Sequence, residues 1–224
     1  MKNSKTRKEE SIELLKKQGV PYLESLPEIE DATNVSLRTN MEIFYRIYTL
    51  FMLFNGVNGI RGNAVSKEEV ANDIKEMENK NEIKLTEKEK EIVNNLFPDQ
   101  DMTNLFWRCE SLWVLLWSVG LVEKLEFPKQ LNIGKLYEVT VKFIKSEENI
   151  LDAANKLVVR DIEEILDETD LIYRYDWACV DARVNNKETP AGLDSGVVYE
   201  RHYALNWLVK AYDIDAWDDV ETHT

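Results

Sequence analysis

The stretch "TNLFWRCESLWVLLWSVG", Thr103 to Gly120, constrains the fold more than any other part of the chain. Its apolar residues spread around the whole circumference of a helix, so a helix of this kind is stable only when other helices wrap it. The oiliest part, Leu112 to Val122, is too short for the ~20 residues of a membrane span. The chain is therefore expected to bundle around a tryptophan-rich central helix that Gly120 closes.

The flanking segments supply the wrapping. A first helix is expected from Ser4 to Gln18 with Gly19 as its stop, followed by an extended connector held by Pro21 and Pro27. A second begins after Ser36 and carries Ile43, Phe44, Ile47, Leu50, Phe51 and Phe54 on a broad buried face. It is expected to end at "NGVNGIRGN". Gly56, Gly59 and Gly62 would suit a phosphate cradle only after a strand; after a helix they read as turn residues. "SKEE" at Ser66 and "TEKE" at Thr86 are capping boxes, each opening a short, largely exposed helix, roughly 66–79 and 86–96.

"LYEVTVKFI" alternates with period two, placing Tyr137, Val139, Val141 and Phe143 on one side, but no second strand is available to pair with it. Helix is preferred, with one short hairpin near 133–145 as the alternative. "NILDAANKLV" and "RDIEEILDETDLIYRYDWACVDARVN" read as helices, separate or joined, and a last helix carries "YERHYALNWL". No linker forces a division, so residues 1–224 form one all-α domain, an irregular multi-helix bundle.

The net charge of −14 is uneven: from Lys145 onward 8 Lys and Arg face 19 Asp and Glu. That acidic C-terminal half (145–224) repels a phosphate backbone and argues against nucleic-acid binding. It suits a basic protein partner or a cation. The basic helix between Lys2 and Lys17 reads as a solvated face. Cys109 and Cys179 lie in apolar segments without Cys-x-x-Cys spacing, as small core residues of a reducing compartment. With no apolar leader after Met1 and no span, a cytoplasmic protein without membrane attachment is expected.

Residues 160–184 carry the most information. Glu163, Asp167, Asp170, Arg174 and Asp181 share one face; Ile162, Ile165, Leu166, Ile172, Tyr173, Val180 and Val184 form the core side. The acidic face reads as solvated, with an exposed Asp170–Arg174 pair. Asp176 and Arg183 break the pattern by falling among the isoleucines. Arg201 has the same problem, set among Val197, Val198, Leu205 and Leu208. A lone charge there costs several kcal/mol, on the order of its desolvation penalty. The simplest joint solution packs the last two long helices together, with Asp176, Arg183, Arg201 and Glu200 in one network.

A rival reading makes Glu200, Arg201 and His202, with Asp170 or Asp181, a cleft for an anionic ligand or for acid–base catalysis. Against it, His202 and Arg201 point to different sides of their helix. The tail "WDDVETHT" offers Asp218, Asp219, Glu221 and His223 as donors to a divalent metal, but at no recognisable ligand spacing. It reads as a surface turn with Trp217 docked on the core. No metal or other cofactor is expected.

"EILDETDLIYRYDWACVDAR", "VVYERHYALNWL" and "WDDVETHT" together resemble a bacterial family, domain of unknown function 4272. "ESLWVLLWSVG" is similar to that family's central tryptophan helix, and "RKEESIELLKKQGVPYLESLP" to its opening helix and proline connector. The resemblance covers most of the chain and implies that Asp170, Arg174, Trp177, Asp181, Arg183, Glu200, Arg201, Asn206, Trp217 and Asp218 are motif residues. It brings no activity with it. The middle section, 57–104, lies outside the resemblance.

Overall fold

The computed structural model describes residues 2–145 and 150–224. It is all-α: among the described residues there is no strand. Helix α1 runs Ser4–Gln18 and stops at Gly19, whose φ of 70° is left-handed backbone that glycine adopts without strain. Helix α2 runs Asn40–Arg61, opened by a capping box of Thr39 and Glu42. Helices α3 (Lys67–Asn79) and α4 (Glu87–Asn94) begin at the expected boxes, Ser66 with Glu69 and Thr86 with Glu89. Helix α5 (Asp99–Trp107) and α6 (Cys109–Ser118) follow, then α7 (Ile133–Lys145), α8 (Ile150–Lys156), α9 (Ile162–Val184) and α10 (Ser195–Leu208).

Helix α6 is the central helix: all ten of its residues are buried, and α2, α5, α7 and α10 pack on it. The expected single rod is bent, because the chain breaks at Arg108 between α5 and α6. Helix α9 packs on α10 on one side and α1 on the other. The main core joins α2, α6, α9 and α10, and a second apolar cluster lies under α3, α4 and α5. Among the described residues no helix is long and apolar enough to cross a membrane.

Two open alternatives close and two expectations change. The 133–145 segment is a helix, not a hairpin, and it buries Leu136 and Thr140 against the bundle while Tyr137 faces out. Gly56 and Gly59 are not turn residues. They lie inside α2, where a Cβ on Gly56 would stand 2.5 Å from Val70 Cγ1 and one on Gly59 2.7 Å from Val65 Cγ2, so the missing side chains let the next segment approach closely. Helices α8 and α9 are separate; Asn149, which opens the first of those two sequence stretches, lies outside the described residues. Finally, the acidic face of α9 is not solvated along its length. Arg7 of α1, 1% exposed, donates to Glu163 (2.6 Å) and Asp167 (3.0 Å), so the basic first helix is the partner of that face.

Candidate functional site

The charged residues of α9 and α10 do not form one network. Arg201 is buried, as the apolar setting of its helix demands, but its partner comes from the central helix: Nε donates to Glu110 Oε2 at 3.0 Å and Nη1 to the Glu126 carbonyl at 2.6 Å. Glu110, itself fully buried, also accepts from the Asn132 backbone N–H. Glu200 binds Arg108 Nη1 (3.1 Å) and Ser111 Oγ (2.6 Å). Burial pushes the Glu200 carboxyl above its ordinary range, against the pull of Arg108. Asp170 and Arg174 do pair, bidentately at 2.9 and 2.7 Å, but both are buried rather than exposed; Arg174 reaches on to the Pro27 carbonyl. Desolvation explains the fork geometry, since a buried carboxylate needs both oxygens satisfied.

Arg183 departs furthest from expectation. It is exposed and joins no ion pair among the described residues; Val184 beside it, the last residue of α9, is exposed as well. Asp181 is half-buried and accepts from the Asn185 side chain at 3.0 Å. Among the described residues one side-chain hydrogen bond joins α9 directly to α10: Asp176 Oδ2 lies 2.8 Å from His202 Nδ1, with both residues buried.

His202 of that link lines a cleft of about 850 Å³. Its walls are the connector at 27–36, the α9 residues Leu166, Thr169 and Tyr173, the α10 residues His202 and Asn206, and the turn at 209–215. Arg38 sets the position of that turn: its guanidinium donates to the carbonyls of Trp207 (2.9 Å) and Ile214 (2.7 Å), and its backbone N–H to that of Leu208. The helix end that would otherwise leave orphan carbonyls is thereby sealed. Four carboxylates, Glu28, Glu30, Asp213 and Asp215, line the cleft against one cation, Lys210. The size falls within the range of pockets that take small organic ligands.

An ionised carboxylate only accepts hydrogen bonds, so Asp176 places the proton of a neutral His202 on Nδ1. The lone pair is then on Nε2, which has no hydrogen-bond partner among the described residues. The Tyr173 ring flanks the imidazole, with centroids 6.0 Å apart. Neither cysteine offers a nucleophile: burial raises the Cys109 thiol, and pushes that of Cys179 up to about 12.

The tail docks through Trp217, buried between Tyr203 and Trp207, with the Tyr203 hydroxyl donating to the Trp217 carbonyl. Asp218 accepts the Lys88 backbone N–H in the first turn of α4 (3.1 Å), and His223 pairs with Glu221. Asp219 is exposed. Among the described residues no group of three His, Cys, Asp or Glu side chains could hold a metal ion.

Sequence reasoning missed Glu110, Arg38, Arg7 and the Arg46–Glu89 pair, which is buried at 2.5 Å between α2 and α4. For Glu110 a signal existed: a carboxylate inside a helix that is apolar all round has to meet a cation. For Arg38 none did, since its acceptors are backbone carbonyls far along the chain.

These features define the class: an all-α bundle with buried polar pairs and an acid-rimmed cleft. Residues 7–220 match the family described as Domain of unknown function (DUF4272), and the chain belongs to that family. Searches of curated proteins and of solved structures returned no match.

Proposed function

We propose that this is a binding protein whose cleft captures a basic segment of a protein partner. The observation that carries this reading is the cleft described above, whose four lining carboxylates outnumber the cations beside them, Lys210 and the Arg38 that pairs with Asp215. A negative potential in a concave site with low-dielectric walls concentrates cations and speeds their encounter. The chain's excess acidity in the same half of the sequence extends that field. A catalytic role built on Glu200, Arg201 and His202 has less support, since Glu200 and Arg201 are spent on closed internal pairs. A cytoplasmic setting is consistent with two buried free thiols.

The test is fluorescence anisotropy with labelled oligolysine and oligoglutamate peptides at low and high salt. Oligolysine is expected to bind, to weaken as salt rises, and to lose most affinity when Glu30 and Asp213 are both replaced by Lys. Absence of oligolysine binding at either salt refutes the reading.

A further inference from the structure

We propose that the C-terminal arm, residues 214–224, exchanges between two copies of this chain, each arm docking on the other copy's body to form a swapped dimer. This goes beyond the reading of the cleft and stands whether or not the cleft takes a cation.

The arm is held as a bound peptide would be. It turns back along α10 and is anchored by Trp217, whose ring lies 5.1 Å from that of Tyr203 and 5.2 Å from that of Trp207, with the Arg46 guanidinium 4.8 Å away. The body supplies the donors. Arg38 Nη2 binds the Ile214 carbonyl (2.7 Å), Asn206 Nδ2 that of Glu221 (2.8 Å) and Lys88 Nζ that of Asp218 (3.0 Å), while the Lys88 backbone N–H binds Asp218 Oδ2 (3.1 Å). Arg38 and Lys88 stand 176 and 130 residues from their acceptors, so these bonds do not depend on which copy the arm belongs to. An identical arm from a second copy satisfies each of them.

What favours exchange is the connection. Between α10 and the arm, Lys210, Tyr212 and Asp213 have φ of 49°, 59° and 57°. Left-handed backbone crowds the Cβ of an L residue; aspartate tolerates it, whereas lysine and tyrosine are strained there. Tyr212 is 63% exposed, so burial returns little for that strain. Short connections under strain are the usual hinges of exchange. Straightening this one relieves both copies, and the five residues 209–213 then reach roughly 17 Å, enough to pass to a neighbour. The opposing cost is the freedom lost on association, so the swapped pair gains on the monomer as concentration rises.

The experiment traps the exchange with a disulfide. Lys88→Cys and Asp218→Cys are made in separate full-length chains, incubated together at high concentration and gently oxidised; the native Cys109 and Cys179 are buried and stay out of the reaction. A covalent heterodimer is expected from the mixture and from neither variant alone, and the chain carrying both substitutions is expected to close on itself when dilute. Adding Lys210→Gly and Tyr212→Gly, which relieves the strain of the closed connection, should lower the dimer constant measured by sedimentation at least about tenfold. No heterodimer from a mixture whose doubly substituted counterpart does close would overturn the inference. So would failure of that counterpart to close, which would mean the arm is not docked at Lys88, or a dimer that the two glycines leave unchanged.

Discussion

The middle lobe and the α9–α10 pair solve the problem of burial in opposite ways. The lobe of α3–α5 has an apolar core cluster, Leu53, Val57, Val70, Ala71, Ile74, Ile83, Leu85, Val93, Phe97, Met102 and Leu105, with the Arg46–Glu89 pair as its one charged seam against α2 among the described residues. Its helices start at local capping boxes, and its tightest contact is the meeting of Gly56 with Val70. The α9–α10 pair instead buries Asp170, Arg174, Asp176, Glu200, Arg201 and His202, each with a bonded partner. A shape-based core degrades gradually when a methyl group is added or lost, whereas a charge-paired core fails when one member goes.

The largest effect that could break this contrast is at Glu110. Glu110→Leu strands Arg201 in the core and is expected to cost about 3–5 kcal/mol in urea unfolding, much of it recovered by adding Arg201→Met. A cost within about 0.5 kcal/mol would show that Arg201 finds water, and the contrast would fall.

Next comes Glu168 on α9, whose carboxyl is raised by burial from 4.5 to about 7, with Arg201 opposing and Asp167 adding to the rise. The folded state therefore holds a proton that the unfolded chain has released, so this contribution is whole below pH 4.5 and is lost as pH climbs through 7. Glu168→Gln should abolish that slope, amounting to about 3 kcal/mol between the two ends. Parallel stability–pH curves for the two proteins would remove α9 from the account of pH sensitivity.

The smallest effect sharpens the comparison from the other side. Gly56→Ala gains helix propensity of about 1 kcal/mol but drives its Cβ into stiff, β-branched Val70. A net loss of about 1–2 kcal/mol is expected, and Val70→Ala should reverse it. If Gly56→Ala raises the melting temperature, the lobe has slack where close packing is claimed.

The same contrast governs what was legible in the sequence. Capping boxes, glycine stops and the all-round apolar helix report on neighbours within a few residues, so α1, α3 and α4 stand where the chain predicts them, and the central helix does so from Cys109 onward. Burial of Arg201 was readable for the same reason, since its own helix is apolar around it. Its partner was not. Glu110 lies 91 residues away, and Arg7 meets Glu163 across 156. Charge balance says that a companion exists without saying which helix supplies it, so a single merged network looked simplest when the real pairs fan out to α1, α5–α6 and the cleft. Arg183 misled because its helical face is apolar only on paper; the helix has run out of bundle there. Of the candidate site, His202 and Asp176 were named in advance, while the connector and the turn that complete the cleft carry no periodic signal.

Trp217 sits under two guanidinium groups, Arg46 at 4.8 Å from the ring and Arg108 at 5.8 Å, and those arginines belong to the two halves of the comparison through Glu89 and Glu200. An indole held between such neighbours is an optical gauge supplied by the molecule itself. Replacing it by phenylalanine and subtracting the emission of the other five tryptophans would isolate a signal that should register any parting of the lobe from the bundle, with no dye attached.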